Sequence, residues 1–215
     1  MRHGFADLQT FADRRQRPLV FDMAERIVVL ALYGWLVMRL LPGKAGGIGG
    51  YALLLLVSEG VVVVLLLIRR RAQRISLDAR DWAVAFAGTL APLMVTRAGA
   101  PLAPGAGLAL MLVGLVGHLG AKLSLRRSFG IVPADRGVRT GGFYRLVRHP
   151  MYAGYMLAHL GFLLVAPSLW NMAVYAFGWT MLIVRIRAEE AVLAGNPGYR
   201  AYMQRVRWRV MPGLF

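Results

Sequence analysis

Two short charged runs in an otherwise strongly apolar chain hold the residues with chemistry to offer. Arg148-His149-Pro150-Met151-Tyr152 stands at the foot of a short apolar stretch, and the next apolar stretch runs out into Arg185-Ile186-Arg187-Ala188-Glu189-Glu190. Proline in the first turn of a helix sacrifices no hydrogen bond, and the amides after it are left to face an anion such as a carboxylate or phosphate. His149 precedes that proline and is pushed out of helical geometry, so its ring projects from the loop end. Tyr144 and Tyr152 add amphipathic rings beside it, although all three residues also suit simple anchoring at a membrane interface. Arg185 and Glu189 are four apart and share a helical face, whereas Glu190 is turned by about 100° from Glu189. Acidic residues number 10 against 26 Lys and Arg. Two adjacent glutamates in such surroundings either attract a cationic ligand or neutralise Arg139, Arg145 and Arg148.

The elements that must position these runs are membrane helices. Hydrophobic residues make up 58% of the 215-residue chain, and they fall in blocks. Spans are expected at Met23–Leu41, Tyr51–Ile68, Trp82–Thr96, Gly105–Leu125, Met151–Val165 and Leu169–Ile186, most of them near the ~20 residues that cross a ~30 Å hydrocarbon core. The fold class is thus an all-α integral membrane protein with about six transmembrane helices, five being the alternative because the third and fifth blocks are short. Three parts follow in order: an interfacial segment over residues 1–22, a four-helix part over 23–125, and a functional region over 126–215. The segment Arg126–His149 is long and irregular, with Gly130, Pro133, Gly137, Gly141 and Gly142. Such a loop lets backbone approach a ligand closely and is the natural place for a site.

Charge sets the orientation. Every Lys and Arg except Arg39, Lys44 and Arg97 falls toward one face of this layout, which the positive-inside rule assigns to the cytoplasm together with both termini. A net charge of +16 then needs no nucleic-acid partner, because anionic headgroups attract such a collar by ~1 kcal/mol per residue. The polar run up to Arg17 does not read as a cleavable signal, and Phe5, Leu8 and Phe11 with Ala12 fit a short surface-lying helix. No cysteine is present, which excludes disulfides and thiolate chemistry, and no residues stand at metal-ligand spacing.

Several residues inside the blocks need partners. Glu59 lies mid-span, where a charge costs a few kcal/mol or more and is either functional, protonated or paired with a group such as His118. His118 and His159 read as hydrogen-bonding contacts between helices. Gly114, Gly117 and Ala121, like Gly154 and Ala158, offer small-residue seams for close packing. In the tail, Tyr199, Tyr202 and Val206 form an apolar stripe opposite Arg200, Gln204 and Arg207, as expected of a surface helix that caps the site.

The run Gly142-Phe-Tyr-Arg-Leu-Val-Arg-His-Pro-Met-Tyr152-Ala-Gly154, the hydrophobic hairpin after it, then Arg185-x-x-x-Glu189-Glu190 and a tail with Tyr199, Tyr202, Val206 and Pro212 resembles the isoprenylcysteine carboxyl methyltransferase family. The related phospholipid methyltransferases look similar here, and the likeness runs from Lys122 to the end. It implies a membrane methyltransferase dependent on S-adenosylmethionine, with the cofactor held at the cytoplasmic face. By the resemblance Arg136, Gly137, Val138 and Arg139 line the cofactor largely through backbone. Tyr144, His149, Pro150, Met151 and Tyr152 contact it next, and Glu189, with Glu190 beside it, closes it from the far helix. Arg185 matches the family arginine turned toward the substrate, so Arg185 and Glu189 are the catalytic candidates. Between Glu190 and Tyr199 the chain is shorter than the family spacing, which leaves Tyr199 and Tyr202 without an assigned role.

The implied acceptor is a lipid or lipid-anchored group, such as a prenylcysteine carboxylate. A phospholipid amine, a small thiol and a non-enzymatic transport or assembly role are the alternatives. Glu190 and His149 are the candidate bases if the acceptor is an amine. An Arg- and Ala-rich composition suits a bacterial inner membrane.

Overall fold

The computed structural model describes residues 3–40, 50–70, 72, 74–96, 98–213 and 215, with side chains described for these except 3–19, 39, 40, 50–56, 58 and 74. The described residues form seven α-helices: α1 (His3–Leu40), α2 (Gly50–Ile68), α3 (Ala79–Leu90), α4 (Pro104–Leu125), α5 (Pro150–Val165), α6 (Leu169–Leu193) and α7 (Pro197–Arg205). Two strands of two residues, β1 (Arg74–Ile75) and β2 (Ala134–Asp135), pair antiparallel, a small exception to an all-helical reading. The 42–49 connection with Lys44, and Arg97, lie outside the described residues, as do the side chains of Phe5, Leu8 and Phe11. α1 is unbroken across the division expected after residue 22.

Helices α4 and α6 are long and apolar enough to cross a membrane, over Pro104–Ser128 and Leu169–Leu193. Their outer faces stay uncovered: Leu108, Leu112, Val113 and Val116 on α4 and Trp170, Met172 and Phe177 on α6 are exposed, the pattern of a lipid-facing surface. α5 has 16 residues and reaches only about 24 Å. The third apolar block is shorter still as a helix. α3 has 12 residues and passes into a 3-10 turn at Ala91–Met94, where Pro92 removes a helix donor.

Close packing of α4 on α5 forms the spine. A side-chain carbon on Gly114 would sit 2.5 Å from the Ala158 amide and 2.7 Å from the Gly154 carbonyl oxygen. One on Gly154 would sit 2.6 Å from the His118 amide, and one on Gly107 would sit 2.7 Å from the Gly161 carbonyl oxygen. Backbone therefore rides on backbone along this seam. Gly117, expected in the same row, meets nothing within 4 Å, because it is turned away from α5. The α5–α6 turn is fixed by fully buried Asn171, whose amide donates to Thr96 O at 2.9 Å and Ala166 O at 2.8 Å while its oxygen accepts from Thr96 N at 3.0 Å.

Several polar groups within the bundle meet partners across helices. Glu59 meets Lys122 Nζ at 2.9 Å and His118 Nε2 at 3.6 Å, so this carboxylate of α2 is an ion-pair partner of α4. His159 Nδ1 accepts from Trp179 Nε1 at 3.1 Å, a contact from α5 to α6.

Candidate active site

At one end of the spine α4 stops, the irregular segment 126–149 doubles over, and α5 begins. His149 precedes α5 with a non-helical backbone and Pro150 occupies the first turn, as the restriction imposed by proline requires. The tail returns to the same place. Arg148 N donates to Trp208 O at 2.9 Å and His149 N to Arg209 O at 2.7 Å, so the histidine is held by a two-rung backbone ladder.

The two adjacent glutamates of α6 arrive here and divide their work, because consecutive helical positions face different ways. Glu189 Oε1 accepts from Tyr152 OH at 2.5 Å and from Arg185 Nε at 3.1 Å. Its other oxygen lies 3.7 Å from His149 Nδ1. Glu190 turns to the tail, where Arg148 Nε lies 3.1 Å and His149 Nε2 3.2 Å from Oε1, and Arg209 Nε lies 2.9 Å from Oε2. The His149 ring thus bridges both carboxylates, and it stacks on Tyr152 at 5.7 Å between centroids.

A pocket with about 730 Å³ of unfilled space, its open mouth included, lies between these groups. Of the residues expected to hold a cofactor, Arg136, Gly137, Val138, Arg139, Tyr144, His149, Met151, Tyr152 and Glu189 line it. Pro150, Glu190 and Arg185 do not. Pro150 caps the helix behind the wall, and Glu190 is occupied by the arginines and histidine around it. Arg185 is buried behind Glu189 and Tyr152, with its guanidinium 5.3 Å from the Tyr152 ring centroid and Nη2 3.4 Å from Gly130 O.

Other wall residues escaped the sequence reading. Ser128 lines the pocket, donates to Arg136 O at 3.1 Å and accepts from Arg139 Nε at 3.4 Å. Arg136 contributes to the wall while its guanidinium points away, into a buried group of carboxylates. Tyr199 and Tyr202 of α7 also line the pocket and are buried, whereas Arg200, Gln204 and Arg207 on the other side are exposed. Tyr202 OH donates to Tyr144 O at 2.7 Å, fastening α7 to the loop. The stripe spacing of Tyr199, Tyr202 and Val206 is the signal for this in the sequence.

Burial pushes the Tyr202 phenol up to about 12 and the Tyr144 and Tyr199 phenols up further, so all three stay protonated donors. The Tyr199 hydroxyl is buried at the wall with no hydrogen-bond partner among the described residues. A buried unpaired hydroxyl costs about 1–3 kcal/mol, a cost that a polar ligand removes. Among the described residues no group of three or more His, Asp or Glu could hold a metal ion.

Residues 104–198 match the family model described as phospholipid methyltransferase. That stretch, from α4 to the opening of α7, is less than half of the chain and is similar to the phospholipid methyltransferase family. Among solved structures, the eukaryotic intramembrane Ras methyltransferase, isoprenylcysteine carboxyl methyltransferase, is similar over 91% of this chain and 86% of its own, with 17% identity and a TM-score of 0.47. No curated protein matches.

Proposed function

We propose that the protein transfers a methyl group from S-adenosylmethionine to a lipid or lipid-anchored acceptor at the cytoplasmic face of a bacterial inner membrane. About six spans with both termini inside is the matching topology. The observation that carries the reading is the meeting of a glycine-containing loop, the His149–Tyr152 helix start and Glu189 of α6 around one pocket. Its donor set suits the cofactor. A basic loop with backbone donors suits an amino-acid carboxylate, Glu189 and the Tyr152 ring suit a cationic centre, and the unpaired Tyr199 hydroxyl offers a donor to a polar edge.

S-adenosylmethionine, when bound, supplies an electrophilic methyl group on a sulfonium. The chain's own task is to hold donor and acceptor in line at ~3 to 3.5 Å and to keep water out. Glu189, fixed by Tyr152 and Arg185, faces the pocket with the charge that a cation seeks. Tyr199 and Tyr202 on α7 close the side away from the bundle. Arg185 stands on the bundle side of Glu189, where an acceptor dissolved in the bilayer arrives, and there it orients an acceptor carboxylate. A carboxylate reaches the site ionised and requires no base, whereas an amine must lose a proton. His149, which lines the pocket between two carboxylates, and Glu190 behind it are the candidate bases in that case.

The test is calorimetric titration of folded, detergent-solubilised protein with S-adenosylmethionine, followed by mass spectrometry of lipids from cells with and without the protein. Saturable binding and a lipid heavier by one methyl group are expected. Folded protein that gives no heat overturns the reading.

A further inference from the structure

The loop wall of the pocket is held from outside the family-matched stretch. Residues 130–139 have little regular structure, and buried amides there need acceptors. Two of them find one on α1: Glu25 Oε1 accepts from Ile131 N at 2.5 Å and from Val132 N at 3.1 Å. Glu25 is fully buried. Its second oxygen lies 2.8 Å from Arg69 Nη1, just beyond the end of α2, and 3.3 Å from Arg136 Nη2 on the loop itself. Asp22, one turn earlier, pairs with Arg69 at 2.6 Å and Arg26 at 3.1 Å.

The loop is shaped around this carboxylate. The Arg136 guanidinium crosses the backbone at Gly130, where any side-chain carbon would collide with it. The chain after α2 adds a second hold through the β1–β2 pair and through Ser76 N donating to Pro133 O at 3.0 Å. Val132, Ala134 and Arg136, between and beside these holds, line the pocket.

We propose that Glu25 is a positioning residue for the cofactor: its carboxylate gathers the 131–132 amides and Arg136 and so sets the shape of the wall that receives S-adenosylmethionine. The inference rests on the function proposed above. Its function would be exercised through the loop, without contact with the ligand.

Two neutral variants separate anchoring from charge. Glu25→Gln keeps an oxygen that accepts from both amides, and Glu25→Met matches the length but offers no acceptor. Losing charge-assisted hydrogen bonds to the loop should weaken S-adenosylmethionine binding about tenfold or more in Glu25→Met, with the Gln variant clearly less affected. Hydrogen exchange should accelerate over 130–139 in the same order, while α4 to α6 keep their protection. Equal effects of Gln and Met, or normal affinity in folded Glu25→Met, overturn the proposal. In the unsubstituted protein the amides of residues 131 and 132 should be as protected as those inside α4, and free exchange there overturns it whatever the variants do. Should the unsubstituted protein not bind S-adenosylmethionine, the functional reading fails, while the exchange data still decide whether Glu25 holds the loop.

Discussion

At the residue scale the adjacent glutamates separate binding from architecture. Glu189 faces the pocket, and Glu189→Gln is expected to weaken S-adenosylmethionine binding about tenfold, the size of one charge-assisted contact, in a titration of the folded variant. Arg185→Gln should lower turnover more than binding, because Tyr152 still holds Glu189. Comparison of kcat with the cofactor dissociation constant checks the difference, and an equal loss in both removes the acceptor-facing role. Glu190→Gln behaves differently. It leaves Arg148 and Arg209 without their carboxylate, and at Arg148, the buried one, one-sided loss of an ion pair costs about 3–5 kcal/mol, so a marked fall in thermal midpoint is expected. Helical spacing already separates Glu189, on the Arg185 face, from Glu190, but that Glu190 meets the tail depends on where Arg209 returns, which spacing does not show.

At the element scale, the seam and the cap carry separate predictions. Gly154→Leu drives a side chain into the His118 backbone and should prevent α4 and α5 from pairing, read as loss of folded protein on size exclusion in detergent. Tyr202→Phe removes the hydroxyl bond from α7 to Tyr144 O and should cost about 1 kcal/mol, with faster exchange confined to α7. The seam was legible in the spacing of Gly114, Gly154 and Ala158, because small residues in a membrane helix mark close approach. The start of α5 was legible too, since proline fixes its own helix boundary. Glu25 was not. At the start of the first apolar block it reads as an interfacial charge, and its loop partner Ile131 lies 106 residues away, beyond any periodicity. The short α3 was also overestimated, because its apolar composition continues past Pro92 while its helix does not.

For the whole molecule, the pocket is lined by residues between 125 and 202 but held from outside that stretch on both sides. The family-matched residues 104–198 supply most of the lining, but α1 holds the loop and the tail holds His149. Separate removal of either end should therefore abolish cofactor binding while sparing the α4–α5 spine. The spine also restricts traffic. With backbone against backbone at Gly107, Gly114, Gly154 and Gly161, those two helices leave no doorway between them. On the proposed function, a greasy acceptor travelling in the bilayer would have to come round α6 or past α2. Because the chain has no cysteine of its own, an engineered disulfide tethering α4 to α5 is a clean trap, and it should leave turnover untouched where a tether across the true doorway stops it.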